Sequence, residues 1–313
     1  MDISYLVWLQ NLRGEVGEGV EEFFTLYTDG SVAATLFLSA IIFWCVDKKT
    51  GKFLFLVMAF SRICNQILKN TFCVYRPWIL DSSVHPTPSA MNEASSYSFP
   101  SGHTNAATAS YGGIAYRYGK KFPLIAVLCV VTILLTAFSR NFLGVHTPQD
   151  VLVSMLVTAL VIICADKIMK FIDGDNYKET FLTIAGIIFA AIVTAYFMLK
   201  SYPIDYLNGK VIVEPINAIN DAIGRVGTFA GILIGLELER RFVKFKTNVK
   251  FSTKIFRIIV GVVFILATNF LLVPAVKFLA FTTLAKFLRW FLTYFVIIFL
   301  VPLVFSKFER KIF

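Results

Sequence analysis

The sequence predicts an all-α fold, a polytopic membrane helical bundle of about nine transmembrane helices with an N-terminal amphipathic interfacial helix. Three observations predict it. Of the 313 residues, 57% are hydrophobic and only 16% charged, against roughly 45–50% and about 25% in a soluble domain. So little charge cannot cover a surface in water, and lipid must face much of the exterior. The mean hydropathy of +0.71 agrees. Second, the apolar residues fall into runs of bilayer-spanning length. Third, the basic residues collect in the short loops between those runs, where they set orientation.

Taken in order, segment 1–30 reads as a helix lying at the outer interface. Leu6, Leu9, Val16, Val20, Phe23 and Phe24 recur at helical spacing, and Asp2, Glu15, Glu18, Glu21, Glu22 and Asp29 outweigh Arg13. Spans are expected near 31–46, 53–68, 101–119, 122–139, 150–172, 180–199, 222–240, 255–274 and 285–305, with 101–119 and 222–240 the weakest by hydropathy. Residues 31–172 form one expected helical bundle, which carries the polar clusters described below, and 173–313 a C-terminal transmembrane extension of four helices. The Ser- and Pro-rich segment 77–99 reads as a lid, and a second long external loop lies at about 200–221.

Alternate loops carry Lys48, Lys49 and Lys52, then Arg117, Lys120 and Lys121, then a run from Arg240 to Arg257 that includes Lys244, Lys246, Lys250 and Lys254. With Lys307, Arg310 and Lys311 at the C-terminus, these mark the cytoplasmic side. The N-terminus then lies outside and the C-terminus inside. The near-neutral 166–179 loop and Lys277, Lys286 and Arg289 fit this orientation poorly. The formal charge of +10 forms no stripe interleaved with stacking aromatics, so no nucleic-acid partner is expected. Cys45, Cys64, Cys73, Cys129 and Cys164 show no CxxC pair, and all but Cys73 lie in apolar stretches as buried small hydrophobes. The N-terminus lacks a basic region followed by an apolar core, so no cleavable signal peptide is expected.

Three polar clusters interrupt the apolar chain, and the charge pattern puts all three outside. They are Lys69 to Arg76-Pro77, Pro100-Ser101-Gly102-His103, and Ser139-Arg140 followed by His146 and Asp150. Their chemistry suits phosphate. Lys69, Arg76 and Arg140 are cations, and arginine grips phosphate oxygens bidentately. Ser101 and Gly102 open a helix, whose free N–H groups and dipole attract an anion. Such groups can stabilise a five-coordinate phosphorus transition state. His146 and Asp150 are four apart at a helix start, so the carboxylate can accept one ring N–H and leave the other nitrogen to attack phosphorus. His103 would then protonate the leaving group.

Lys-x6-Arg-Pro, Pro-Ser-Gly-His and Ser-Arg-x5-His-x3-Asp together resemble the three-part signature of the type 2 phosphatidic acid phosphatase (PAP2) superfamily, over residues 69–150 and in the expected order. The resemblance implies phosphate binding by Lys69, Arg76, Ser101, Gly102 and Arg140. It also implies a phosphohistidine at His146 oriented by Asp150, His103 as acid, and no metal or other cofactor. Two spans before the first motif and several after the third resemble the glucose-6-phosphatase and sphingosine-1-phosphate phosphatase layout.

Each residue also has an ordinary reading. Lys69 can snorkel, Ser101 can be only an N-cap, and Thr147-Pro148-Gln149-Asp150 reads as an N-cap, an N1 proline and a capping acid. His85 reads as a solvated loop histidine and Trp78 as an interface anchor. Gly224, Gly227, Gly231 and Gly235 read as a helix-packing face. Six ionisable groups of complementary chemistry at one membrane face favour function over these separate accidents. The expected activity is hydrolysis of a lipid phosphate or pyrophosphate at the outer face, with that substrate and membrane lipids as partners. Lipid-linked phosphotransfer, a small-solute sugar phosphatase and a non-enzymatic transporter or scramblase remain open alternatives.

Overall fold

The computed structural model describes residues 3–92, 94–279 and 282–312, excepting the side chains of Lys277, Leu279, Arg310, Lys311 and Ile312. The charges expected at Asp2, Lys277, Arg310 and Lys311 therefore lie outside what it describes. The helices are α1 Ile3–Val16, α2 Glu18–Ile41, α3 Lys48–Phe72, α4 Pro77–Leu80, α5 Pro88–Asn92, α6 Gly102–Ala107, α7 Gly113–Tyr118, α8 Pro123–Phe142, α9 Pro148–Ile172 and α10 Asn176–Leu199. After a hairpin of β1 Tyr206–Leu207 and β2 Lys210–Val211 come α11 Pro215–Leu238, α12 Phe251–Ala267, α13 Val273–Leu279, α14 Thr282–Phe295 and α15 Val301–Ile312. The strands pair antiparallel across Asn208-Gly209, both at positive φ as a tight hairpin turn requires.

Among the described residues, eight helices are long and apolar enough to cross a membrane. The ninth expected span, 101–119, is helical over 102–118, with a π turn between α6 and α7. At about 1.5 Å per residue it reaches roughly 25 Å, short of the ~30 Å hydrocarbon core. The count of nine is thus approximate. Outward faces are apolar: on α9, Leu152, Leu156 and Leu160 are 52%, 56% and 63% exposed, a stripe that suits lipid and not water. Cys164, on the same helix, is exposed and not buried. An apolar neighbourhood in the sequence of a membrane protein does not distinguish core from lipid.

Contacts divide the chain into two compact units, neither continuous in sequence. The first comprises 1–36, 64–163 and 201–218. In it the N-terminal region is not one helix but two, because Gly17 turns the chain at φ 84° and α2 then runs on into the first span. Leu9 of α1 is buried against Phe142, Leu143 and Val145, with Trp78 half-buried at the same cluster. Arg13 donates to the carbonyls of Phe142 and His85 at 2.8 and 2.5 Å. The N-terminal helix therefore braces the turn after α8. His85 itself is exposed. Tyr97, fully buried, packs with Val213 and Ala218, so the 77–99 and 201–218 segments share one small core.

The second unit comprises 37–63, 164–200 and 219–313. Here α11 lies against α14 with almost no side chain between them. A Cβ on Gly227 would overlap the Phe287 carbonyl, and one on Gly231 would come within 2.5 Å of the Phe291 carbonyl. Gly224 and Gly235 approach side chains instead, a Cβ coming to 2.9 Å from Trp290 and 3.1 Å from Ile298. The glycine stripe is a packing face, as in other close helix pairs in lipid.

Candidate active site

The site is assembled within the first unit from the ends of its helices. Lys69, in the last turn of α3, is 5% exposed. Its ammonium donates to the carbonyls of Tyr97 at 2.6 Å and Ser98 at 3.3 Å. Arg76 is the extended residue before Pro77, which opens α4. Its Nε donates to Ser96 O and its Nη1 to Val145 O, both at 2.9 Å. Two motif cations thus fasten the backbone of 96–98 and the His146 turn.

Ser101 is fully buried and caps α6, its Oγ accepting from Thr104 N at 3.4 Å and Thr104 Oγ1 at 3.0 Å. Its carbonyl accepts from Ser154 Oγ at 2.8 Å and Asn65 Nδ2 at 3.5 Å, and its N–H reaches Asp150 O at 3.0 Å. The second and third motifs are therefore tied backbone to backbone. Gly102 is exposed, and an added Cβ there meets nothing within 4 Å. Packing does not explain a glycine at that position.

The third motif forms a tight turn. Arg140, 2% exposed, offers its carbonyl to the N–H groups of Val145 and His146 at 3.2 Å each. Gly144 makes the turn at φ 74°, and Asn141 Nδ2 holds His146 O at 2.8 Å. Asp150 Oδ2 lies 3.2 Å from His146 Nδ1 while accepting Thr147 N–H at 2.8 Å and Ser98 Oγ–H at 2.5 Å. The capping contact and the contact to the imidazole fall on the same oxygen.

The protonation of His146 follows from its neighbours. Arg76 Nη1 lies 3.0 Å from Nε2, and a guanidinium can only donate. Nε2 therefore carries the lone pair and Nδ1 the proton, directed at Asp150. Burial, then the Arg76 charge, hold the imidazole well below its ordinary pKa, against the pull of Asp150. His146 is thus held neutral, with its lone pair on the nitrogen that accepts from Arg76.

His103, one residue into α6, is partly exposed, and its Nε2 lies 3.4 Å from Oδ1 of Asp29 on α2. Arg140 and Arg76 also act on it electrostatically. The sequence pointed to a carboxylate partner for His146 alone; the structure gives one to both His103 and His146. Asp29 and Ser98 are candidate functional residues that the sequence did not point to. Asp29 sits in an acidic segment with no motif. Ser98 had one signal, its place just before Pro100-Ser101. All the expected residues lie in this unit, with Arg76, His146, Asp150 and Ser101 in direct contact. Lys69 is engaged through the 97–98 backbone. Among the described residues, no three His, Cys, Asp or Glu side chains converge as a metal-ligand group.

Residues 50–173 match the family described as PAP2 superfamily, and 223–311 that described as PAP2 superfamily phosphatase, transmembrane extension. Among curated proteins, human sphingosine-1-phosphate phosphatase 2 is 29% identical over 208 residues, covering 64% of this chain and 47% of that protein. A probable sphingosine-1-phosphate phosphatase of Dictyostelium discoideum is 30% identical over 164 residues, 49% of this chain and 39% of the relative. Phosphatidylglycerophosphatase B of Bacillus subtilis (strain 168) is 33% identical over 132 residues, 39% of this chain and 61% of the relative. The chain thus spans about half the length of the curated relatives it matches. No solved structure matches. All three motifs fall inside the first matched stretch, and the glycine-packed α11 and α14 fall largely inside the second. The chain is a membrane-spanning member of the PAP2 superfamily, with its PAP2 domain at 50–173 and the family's transmembrane extension at 223–311.

Proposed function

We propose that this protein is a phosphatase of lipid phosphates or pyrophosphates, acting at the outer membrane face through a phosphohistidine on His146 without a metal. The observation that carries the reading is the pair of environments on one imidazole: Nδ1 against Asp150 and Nε2 within 3.0 Å of Arg76. An arginine that binds a phosphate oxygen from there brings phosphorus beside the attacking lone pair.

In the first step Nε2 forms a bond to phosphorus as the bond from phosphorus to the lipid oxygen breaks. His103 supplies the proton that the leaving oxygen takes. Asp150 stabilises the resulting imidazolium through Nδ1–H, and Arg76, Arg140 and Lys69 with the Ser101 hydroxyl and the Gly102 amide offset the equatorial oxygen charge. In the second step a water oxygen attacks phosphorus, His103 takes its proton, and the N–P pair returns to Nε2. The PAP2-like bundle of 31–172 performs the chemistry. Placement outside rests on loop charges, and lipid as substrate rests on an active site at the ends of membrane spans.

The names of the relatives make sphingosine-1-phosphate and phosphatidylglycerophosphate the first substrates to try, beside phosphatidate and undecaprenyl pyrophosphate. The experiment is phosphate release from that panel by purified protein in detergent with a chelator present, comparing wild type with His146→Ala. Release by the wild type and its loss in the variant are expected. Release that survives the substitution refutes the nucleophile, and release abolished by the chelator refutes the metal-free mechanism.

A further inference from the structure

In the second unit, the turn between α11 and α12 surrounds a cavity of about 430 Å³, within the ~300–1,000 Å³ usual for small-ligand sites. Its lining includes Lys244, Lys246, Lys250, Arg257, Ser306 and Glu309. Arg257, 1% exposed, is fully committed to structure. It grips Glu309 through Nε at 2.6 Å and Nη2 at 2.8 Å, and its Nη1 donates to the carbonyls of Trp44 and Lys246. That knot neutralises Glu309 and pins the turn from below, with Phe305 stacked 4.5 Å from the guanidinium.

What remains is three exposed lysines with no second carboxylate among the described lining residues. Two further features face the same space. Ser306 Oγ is buried with no hydrogen-bond partner among the described residues, an arrangement that is unfavourable unless something bonds to it. The N-terminus of α12 has no side-chain cap, Lys250 standing at that position, so its first amides and positive dipole end are open to an anion. Lysines in a loop between spans set topology wherever they point. A preformed cavity with an orphaned hydroxyl at its wall is not needed for topology.

We propose that this cavity is a second anion site, separate from the catalytic one, that binds the phosphate of an anionic lipid headgroup or of a soluble phosphate. The turn joins two consecutive candidate spans, Pro215–Val243 and Phe251–Val276, so the cavity opens at headgroup depth. Lys244, Lys246 and Lys250 hold the phosphate oxygens, and Ser306 donates its hydroxyl.

The test is lipid retention by the purified full chain in detergent, read by native mass spectrometry, with dioleoyl phosphatidylglycerol or dioleoyl phosphatidylcholine supplied. Wild type is expected to retain phosphatidylglycerol preferentially. The variant K244Q/K246Q/K250Q should lose affinity for it by on the order of a hundredfold, about fivefold per lysine near a membrane surface. The same three positions changed to arginine should keep it. Should the glutamine variant fail to fold, Ser306→Leu, which fills the cavity and leaves the charges, is expected to lower retention by itself. Added inorganic pyrophosphate that displaces the lipid identifies a soluble phosphate as a competent occupant; lipid that stays identifies the headgroup. Equal retention of the two lipids by wild type, or of phosphatidylglycerol by wild type and folded variants, overturns the proposal.

Discussion

His103 Nε2 lies 3.4 Å from Asp29 Oδ1, joining the histidine of the second motif, the proposed acid, to helix α2. Asp29 precedes the matched family domain, which begins at residue 50. Burial first, then Arg140 and Arg76, lower the His103 pKa to about 4, and the Asp29 carboxylate pulls the other way, toward the protonated, proton-donating form. The pair is 26% and 42% exposed, so solvent screening limits its strength to that of a partly solvated pair, about 0.2–1 kcal/mol. Asp29→Asn should lower kcat by roughly two- to fivefold, and the loss should grow as pH rises and His103 releases its proton more readily. A kcat that falls equally at all pH values would make Asp29 a structural prop only.

Ser98 should matter more. Its Oγ donates to Asp150 Oδ2 at 2.5 Å and lies 3.3 Å from His146 Nδ1, fully inside the protein. A hydrogen bond to a buried charged acceptor contributes about 1.5–3 kcal/mol, so Ser98→Ala should reduce kcat by roughly ten- to a hundredfold. Ser98→Thr, which keeps the hydroxyl, should restore much of it. Phosphate release measured for both variants checks this, and a Ser98→Ala enzyme of wild-type rate would remove Ser98 from the mechanism.

These two residues mark the limit of what was legible in the sequence. The helical spans were legible because lipid demands long apolar runs, and the three motifs because each is a local spacing of chemically distinctive residues. The glycine stripe of α11 was legible for the same reason. Asp29 and Ser98 act through contacts to residues distant in the chain, which spacing does not encode. The choice of His146 over His103 as nucleophile changes its ground accordingly. Both histidines have a carboxylate, and His146 is distinguished instead by burial and by an Nε2 that accepts from Arg76.

Glycines at the two sites should respond oppositely to one methyl group. At Gly227 a Cβ overlaps the Phe287 backbone, which no side-chain rotation relieves, so Gly227→Ala should destabilise by about 1–3 kcal/mol or more through overpacking. At Gly102 a Cβ meets no protein atom within 4 Å, so Gly102→Ala should leave the melting temperature unchanged. If phosphate oxygens approach that backbone, its KM should rise nonetheless. Thermal melts and kinetics of the pair test this; a Gly102→Ala enzyme with unaltered kinetics would take Gly102 out of the phosphate cradle.

The protonation of His146 makes a prediction whose sign is fixed by Arg76. Burial and Arg76 depress its pKa in the folded protein, whereas the unfolded chain has the ordinary value of about 6.5. The unfolded state therefore binds the proton first as pH falls. Stability from the neutral, buried imidazole is present above about pH 6.5 and is lost progressively below it. In the folded enzyme the base stays free through that interval, so the acid limb of kcat/KM due to His146 should lie below pH 6.5. Arg76→Gln removes the charge 3.0 Å from Nε2 and should move the His146 titration upward, toward the ordinary value. Histidine NMR titration of wild type and variant measures the shift directly, without depending on activity. A titration that stays put in the variant would mean that burial alone keeps His146 neutral, and that Arg76 holds the phosphate without tuning the base.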